Sequence, residues 1–272
     1  MTPRHTSAVL AALVAALLVF PSQPHAEEQE EAALSGLEIM RRSDQATRSA
    51  TEHTVMEMKL VNSRDQERVR KIEGWSREVS EDEEKRFARF LEPGDVKDTS
   101  LLTYDYDEND DDIWLYLPAL KKIKRILSSN KTDYFMGSDF TYWDMENVDL
   151  LNWDYELLGA ETVDGVETWK VAGVPKTDEE RKESGYTRTV TWIGKADFLA
   201  RKSELHDKKE RHAKSLTASD IRPVSDDDPR PRAHVVEMSN LISKHRTTLT
   251  FTTMELDVDV DEKVFSQRNL RQ

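Results

Sequence analysis

Apolar and polar residues alternate with a period of two along most of this chain. In one stretch Met56, Met58 and Leu60 take every second position, and the charged Glu57 and Lys59 lie between them. Successive side chains of a strand point to opposite faces, so this alternation is typical of a half-buried β-strand. The same period covers stretches 86–91, 101–106, 113–117, 155–158, 169–174, 187–193 and 247–254. The pattern therefore predicts a long antiparallel sheet.

Two stretches have helical spacing instead. Apolar residues recur at steps of three and four over 33–48, and again over 137–151, where Ser138 or Asp139 would serve as the N-cap. Asp164-Gly165 lies between two strand-like stretches and is a strong signal for a two-residue hairpin turn. Polar stretches typical of hairpin loops lie at 175–185, 207–214 and 225–232. The fold class is thus mainly β (α+β), with a few helices.

The N-terminal residues have the organisation of an export signal. Arg4 and His5 precede an apolar run over 8–20, and Ala26 follows a short polar stretch. This predicts a cleaved signal peptide at 1–26 and a single exported domain at 27–272. An uncleaved anchor is the alternative, because Pro24 departs from the small residue expected three positions before the cut.

The composition excludes several kinds of site. The 272 residues include no cysteine, so disulfides, iron–sulfur clusters and thiolate zinc sites are impossible. With 39 basic and 53 acidic residues, the net charge of -14 argues against nonspecific nucleic-acid binding. The acidic run 105–112 fails as a calcium loop, because Asp110 replaces the glycine at position six and Tyr116 the glutamate at position twelve. We predict no metal site and no cofactor.

Several motifs, in order, give the chain a resemblance to a known family. They are a W-x-Y-x-P element at Trp114, Tyr116 and Pro118, a basic strand at 122–125, F-M-G-S-D-F-x-Y at 135–142, Trp192-Ile193, and V-F-x-x-R-N-L at 264–270. The chain resembles the periplasmic outer-membrane lipoprotein-sorting family, the LolA-like proteins. It is similar in particular to the branch often found beside exporters of the resistance-nodulation-division type.

This resemblance implies a fold and a function. The fold is an incomplete antiparallel β-barrel, a curled sheet wrapped over a few helices, with an apolar cavity that shields acyl chains. The function is that of a periplasmic carrier for a lipid or lipoprotein, without catalytic activity. Its partners would be that cargo, an inner-membrane exporter of the resistance-nodulation-division type and an outer-membrane acceptor. Gly137 would be a hinge beside a lid.

Flexible and aromatic residues are the candidates for the cavity lining, because such side chains adapt to greasy ligands. They also fill ordinary cores, which is the more frequent role. The candidates are Met56, Met58, Leu60, Trp75, Phe87, Trp114, Tyr116, Phe140 and Trp169.

Charged candidates each have more than one interpretation. Arg125 would bind a lipid phosphate, pair with an acidic partner, or form a structural ion pair with an internal carboxylate such as Asp139, and we favour the structural pair. Lys121, Lys122 and Lys124 would contact anionic headgroups or keep an edge strand soluble. Ser138 is better explained as a helix cap than as a nucleophile, since no G-x-S-x-G element surrounds it.

Two other functions stay open at this level. A lipid-sensing regulatory module of the envelope would use the same fold with a partner surface. A phospholipid hydrolase would need a nucleophile such as Ser138 and a base from a distant segment.

Overall fold

Thirteen antiparallel strands form one sheet in a computed structural model that describes residues 34–80, 83–106 and 111–272. The strands are β1 Thr51–Val61, β2 Glu67–Ser80, β3 Glu83–Glu92, β4 Ser100–Tyr106, β5 Asp112–Leu117, β6 Lys122–Ile126, β7 Trp153–Val163, β8 Val166–Pro175, β9 Tyr186–Gly194, β10 Ala200–Asp207, β11 His212–Pro223, β12 Pro231–Asn240 and β13 His245–Leu256. The two α-helices among these residues are α1 Gly36–Thr47 and α2 Asp178–Ser184. Single 3-10 turns lie at Pro118–Leu120, Ser128–Asn130, Phe135–Gly137, Trp143–Met145, Leu150–Asn152, Glu262–Phe265 and Asn269–Arg271.

The sheet is open. Its order is β6-β5-β4-β3-β2-β1-β13-β12-β11-β10-β9-β8-β7, so β6 and β7 form opposite edges although they are consecutive strands of the chain. Residues 127–152 run from one edge to the other. The predicted mainly β fold with an incomplete, curled antiparallel sheet is confirmed, and so is the turn at Asp164-Gly165 between β7 and β8. The predicted signal peptide at 1–26 and the start of the domain at 27 lie outside the described residues.

The two faces of the sheet follow from its register. Met58 of β1 pairs with Arg70 of β2, and Met56 pairs with Ile72, which in turn pairs with Phe90 of β3. Residues directly opposite in an antiparallel ladder share a face, so these side chains lie together. We call this face, which helix α1 and residues 127–152 cover, the inner face, and the opposite one the outer face.

Helix α1 lies on the inner face against β7 and β8. Ser35 is the N-cap of the helix, and its hydroxyl accepts a hydrogen bond from the Glu38 N–H at 3.2 Å. Gly36 permits the close approach, because a Cβ there would lie 2.9 Å from the carbonyl carbon of Tyr155. At the other end the buried Arg232 guanidinium donates to the carbonyl oxygens of Ala46 and Thr47, at 3.0 and 3.2 Å. Among the described residues, the predicted helix at 33–48 is confirmed as α1, Gly36–Thr47.

The predicted helix at 137–151 is wrong. Met136 and Gly137 both have left-handed backbone conformations, with φ of 49° and 75°, and only short turns follow them. Ser138 is not the N-cap of an α-helix, because its hydroxyl donates to the Phe140 carbonyl and accepts from the Phe140 N–H. Contacts with the sheet determine this segment and override its periodicity. In the same way, stretch 175–185 contains α2 where a hairpin loop was predicted.

Candidate functional site

The segment of residues 127–152, here the covering segment, closes the inner face. Phe135 and Tyr142 are buried, and the Phe135 ring lies 5.8 Å from the ring of Phe90 and 5.8 Å from that of Tyr142. Met136 and Met145 pack against the same cluster. The protein's own side chains therefore occupy the apolar interior in this structure.

One anchor of the covering segment joins it to β13. The Thr247 hydroxyl donates to Oδ2 of Asp139 at 2.8 Å and accepts from the Asp139 N–H at 2.9 Å. Both residues are buried, Thr247 completely and Asp139 with 5% of its surface exposed. Burial raises the pKa of Asp139 above its ordinary value, while the hydrogen bond from Thr247 opposes that shift. The Asp139 carboxyl group is thus held in the interior by this hydroxyl, with the nearby charges of His245 and Lys214 also lowering its pKa.

A second anchor surrounds a buried lysine. Lys131 Nζ contacts one carboxylate oxygen each of Asp111, Glu146 and Glu183, at 2.6, 2.7 and 2.6 Å. Burial alone would lower the pKa of Lys131, but the three carboxylates raise it. Burial raises the pKa of Glu146 to about 8. The cluster ties both ends of the covering segment to the start of β5 and to α2.

A third anchor is the side chain of Asp144. It accepts hydrogen bonds from the Tyr186 hydroxyl at 2.7 Å and from Lys214 Nζ at 2.9 Å. Its carboxylate also accepts from the Thr141 N–H at 2.8 Å. Because β9 and β11 supply the two side-chain donors, this anchor fixes the middle of the covering segment to the far half of the sheet.

Arg70 supports the first part of the covering segment from β2. Its guanidinium donates to the carbonyl oxygen of Met136 at 2.6 Å and lies 5.7 Å from the centre of the Phe90 ring. Asn240 of β12 donates to the Tyr134 hydroxyl at 3.0 Å. These contacts surround the left-handed residues Met136 and Gly137 but leave Gly137 itself exposed. Whether Gly137 acts as a hinge stays a prediction.

An open cavity of about 630 Å³ lies between α1, α2, the covering segment and the neighbouring ends of β1–β4. Its lining is rich in carboxylates, among them Glu52, Glu84, Asp105 and Glu146. Burial raises the pKa of Glu52, and it raises the pKa of Asp105 to about 6. None of the nine predicted lining residues contributes to it. As it stands, this cavity suits polar groups, so a hydrocarbon chain would need the interior beneath the covering segment.

Five of the predicted lining residues lie on the inner face or against it. Met58 is buried in the cluster that the covering segment closes, and Met56 and Leu60 pack beside it. Phe140 is buried with Trp153 and Tyr186 in a second cluster. Trp169 lies on the same face of β8, with its ring 5.0 Å from that of Phe198.

The other four were predicted for the same interior, and the structure corrects that. Trp75, Phe87, Trp114 and Tyr116 lie on the outer face. There the C-terminal segment, residues 257–272, covers them, with Phe265 and Leu270 buried against Phe87. Phe87 and Phe90 are separated by an odd number of positions in one strand, which already places them on opposite faces.

The predicted pair of Arg125 with Asp139 is also wrong. Arg125 bonds to Asp112 of the neighbouring strand β5. Its side chain is 54% exposed, whereas Asp139 is buried against Thr247. Arg125 belongs to the outer side of an edge strand, which cannot reach the covering segment on the inner face.

No pattern in the sequence indicates that Lys131, Glu146 and Thr247 are anchors. Their partners are 15 to 108 positions away along the chain, and no motif links them. An isolated lysine in a polar loop has the appearance of a solvated residue. Only the fold reveals that Lys131 is buried.

The described residues include no helix that is both long enough and apolar enough to cross a bilayer. They also contain no group of three or more histidine, aspartate or glutamate residues that could hold a metal ion.

Comparisons with known proteins show what this chain is similar to. A protein-family model of uncharacterized proteins matches residues 82–272. An outer membrane lipoprotein-sorting protein domain from Vibrio parahaemolyticus has 31% identity and a TM-score of 0.80, over 87% of this chain and 98% of that one. A DUF1329 family protein from Desulfovibrio piger has 28% identity and a TM-score of 0.80, over 86% of this chain and 97% of that one.

A LolA superfamily protein from Nitrosomonas europaea shares the fold, with a TM-score of 0.67 and 14% identity over 87% of this chain and 100% of that one. No curated protein matches this chain.

Proposed function

We propose, since this chain belongs to the family of outer membrane lipoprotein-sorting protein domains, that it is a periplasmic carrier for the acyl chains of a lipid or lipoprotein. The observation that carries the proposal is the similarity to the Vibrio domain, which includes nearly the whole of that domain. Transfer would run from an inner-membrane exporter of the resistance-nodulation-division type to an outer-membrane acceptor. The protein would have no catalytic role.

The arrangement of the interior supports this function. One continuous segment, the covering segment, covers the apolar side chains of β1–β5 on the inner face. An acyl chain that replaced Phe135, Tyr142 and Met145 there would find an apolar surface already formed. Each methylene removed from water contributes about 0.8 kcal/mol, so about fifteen methylenes offer about 12 kcal/mol toward displacing the covering segment.

The anchors make that displacement reversible. Hydrogen bonds and ion pairs hold the covering segment at Asp139, Lys131 and Asp144, and water can satisfy the same groups once the segment moves. A carrier needs such a balance, because cargo that binds too tightly is not released. The left-handed Gly137 would serve as the hinge of this motion.

A reversible crosslink tests the proposal. The chain contains no cysteine, so the double variant Asp139→Cys/Thr247→Cys has a single possible disulfide, between the covering segment and β13. We expect the oxidised protein to bind no fluorescent fatty acid, and binding to return on reduction. Thr191→Cys/Ser203→Cys is the matched control, because it joins β9 to β10 at hydroxyls 3.0 Å apart without touching the covering segment.

The wild-type protein purified from its host should carry extractable lipid. Equal binding by the crosslinked and reduced protein would show that the covering segment does not open for cargo. A wild-type protein that contains no lipid and binds no fatty acid would contradict the carrier function itself.

A further inference from the structure

A group of basic side chains surrounds one edge of the sheet in this acidic protein. Lys121, Lys122 and Lys124 belong to β6 and the residue before it, and Arg268 and Arg271 belong to the C-terminal segment. All five are exposed. We call these five residues the basic edge. The protein as a whole has a net charge of -14, so the basic edge is a local reversal of charge.

The cations of the basic edge are not used in internal ion pairs. Arg125, in the same strand, bonds to Asp112, and other described arginines such as Arg86 and Arg201 also contact a carboxylate. Within residues 34–80, 83–106 and 111–272, no carboxylate contacts any of the five cations. Their full charge is therefore available to an outside partner.

Ile123 belongs to the outer side of the basic edge. It lies between Lys122 and Lys124 in β6 and packs against the cluster beneath the C-terminal segment. With Arg268 and Arg271 it lines a shallow depression of about 550 Å³. Lys122 and Lys124 pair with Leu117 and Leu115 and therefore point to the inner side of β6, whereas the arginines lie on its outer side. The cations thus flank the same edge of the sheet from both sides.

Two exposed leucines accompany these cations. Leu120 is 62% exposed just before β6, and Leu127 is 54% exposed just after it. A strand of five residues spans about 17 Å, so the leucines mark the two ends of an extended surface. Lysine beside exposed leucine is the combination that suits the interface of a bilayer, where cations meet headgroups and apolar side chains enter the layer beneath.

We propose that the basic edge docks on the surface of an anionic phospholipid bilayer. A bilayer satisfies both features at once, since an acidic protein would neutralise the cations but leave two separated leucines uncovered. The remaining surface, which carries the excess of carboxylates, would be repelled, so the protein would bind in one orientation. Leu127 is the first residue of the covering segment, and docking would place that end of it at the membrane.

Vesicle sedimentation tests this directly. The wild-type protein should sediment with vesicles of phosphatidylglycerol and phosphatidylcholine but not with pure phosphatidylcholine. The variant Lys122→Glu/Lys124→Glu should lose this binding, and added salt should weaken it in the wild type. Lys208→Glu/Lys209→Glu is the matched control, because it makes the same change of charge at two exposed lysines in the turn between β10 and β11.

A second variant distinguishes loss of membrane binding from misfolding of the edge strand β6. Arg268→Glu/Arg271→Glu changes the other part of the basic edge and leaves β6 intact, and it should lose vesicle binding as well. Equal binding to neutral vesicles, or undiminished binding by both variants, would overturn the proposal. So would a wild-type protein that ignores vesicles but binds a polyglutamate peptide through Lys122 and Lys124.

The test is independent of the carrier function. Fatty-acid binding in solution, without vesicles, measures the interior and should be unchanged in both edge variants. A protein that binds fatty acid but no vesicle would contradict only the basic edge, and the reverse would contradict only the carrier.

Discussion

Replacing Thr247 by valine tests whether the buried bond to Asp139 holds the covering segment. Valine keeps the branched shape of threonine and opens no cavity, so the change removes only the hydroxyl. The Asp139 N–H and one carboxylate oxygen then lose their partner in a site where water is excluded. A buried polar group without a partner costs about 1–3 kcal/mol, and more if charged, so we expect a loss of about 3 kcal/mol in the free energy of unfolding.

The loss should depend on pH in a defined direction. Burial raises the pKa of folded Asp139 above the ordinary 3.8, so ionisation of this group lowers stability as the pH rises through that raised pKa. Thr247 favours the ionised form, so its removal raises the folded pKa further. The difference between variant and wild type should be larger above the folded pKa of Asp139 than below it, where Asp139 is protonated in both proteins.

Urea denaturation at several pH values measures this difference. Thr248→Val is the control, because Thr248 donates to Glu237 at 3.0 Å in a partly exposed place, and its loss should cost less than about 1 kcal/mol. The variant should also take up fluorescent fatty acid faster, since one anchor is gone. A loss equal to that of Thr248→Val, or one that does not change with pH, would refute the reasoning.

Two further changes test other parts of the structure. Phe265→Ala removes a side chain that is 2% exposed on the outer face, so the free energy of unfolding in urea should fall by about 3–5 kcal/mol. Fatty-acid binding, measured at temperatures where the protein stays folded, should be unchanged. A loss of binding would place the cargo on the outer face. Glu146→Gln removes a carboxyl group whose pKa burial raises to about 8, well above 4.5. The wild type should lose stability as the pH rises from about 5 to 9, and the variant should lose less of it; parallel pH profiles in thermal denaturation would contradict this assignment.

Local alternation in the sequence predicted the strands well. The period of two is clearest in β1, where Met56, Met58 and Leu60 share the inner face. In β3–β5 apolar side chains occupy both faces of the strand. Alternation combined with the pairing of neighbouring strands places Phe87 and Met58 on opposite faces of the sheet. Alternation does not reveal that the C-terminal segment covers the outer face, where Phe265 and Leu270 pack against its apolar side chains.

Segments without a regular period were predicted less well. The stretch 137–151 has helical spacing, but Asp139 and Asp144 form hydrogen bonds with distant strands that an α-helix would prevent. In such a segment the bonds to the rest of the fold outweigh local propensity. The anchors formed by Lys131 and Thr247 could not be found from sequence for the same reason.

By itself the sequence determined the class of fold, the open antiparallel sheet and the family, because alternation and ordered motifs are local properties of the chain. The tertiary structure alone decided which apolar residues share a face, that the covering segment fills the interior, and that Lys131 is buried among three carboxylates. These depend on pairing between residues far apart in the chain, and the free energy of burying a charge or an aromatic ring is fixed by what surrounds it in space.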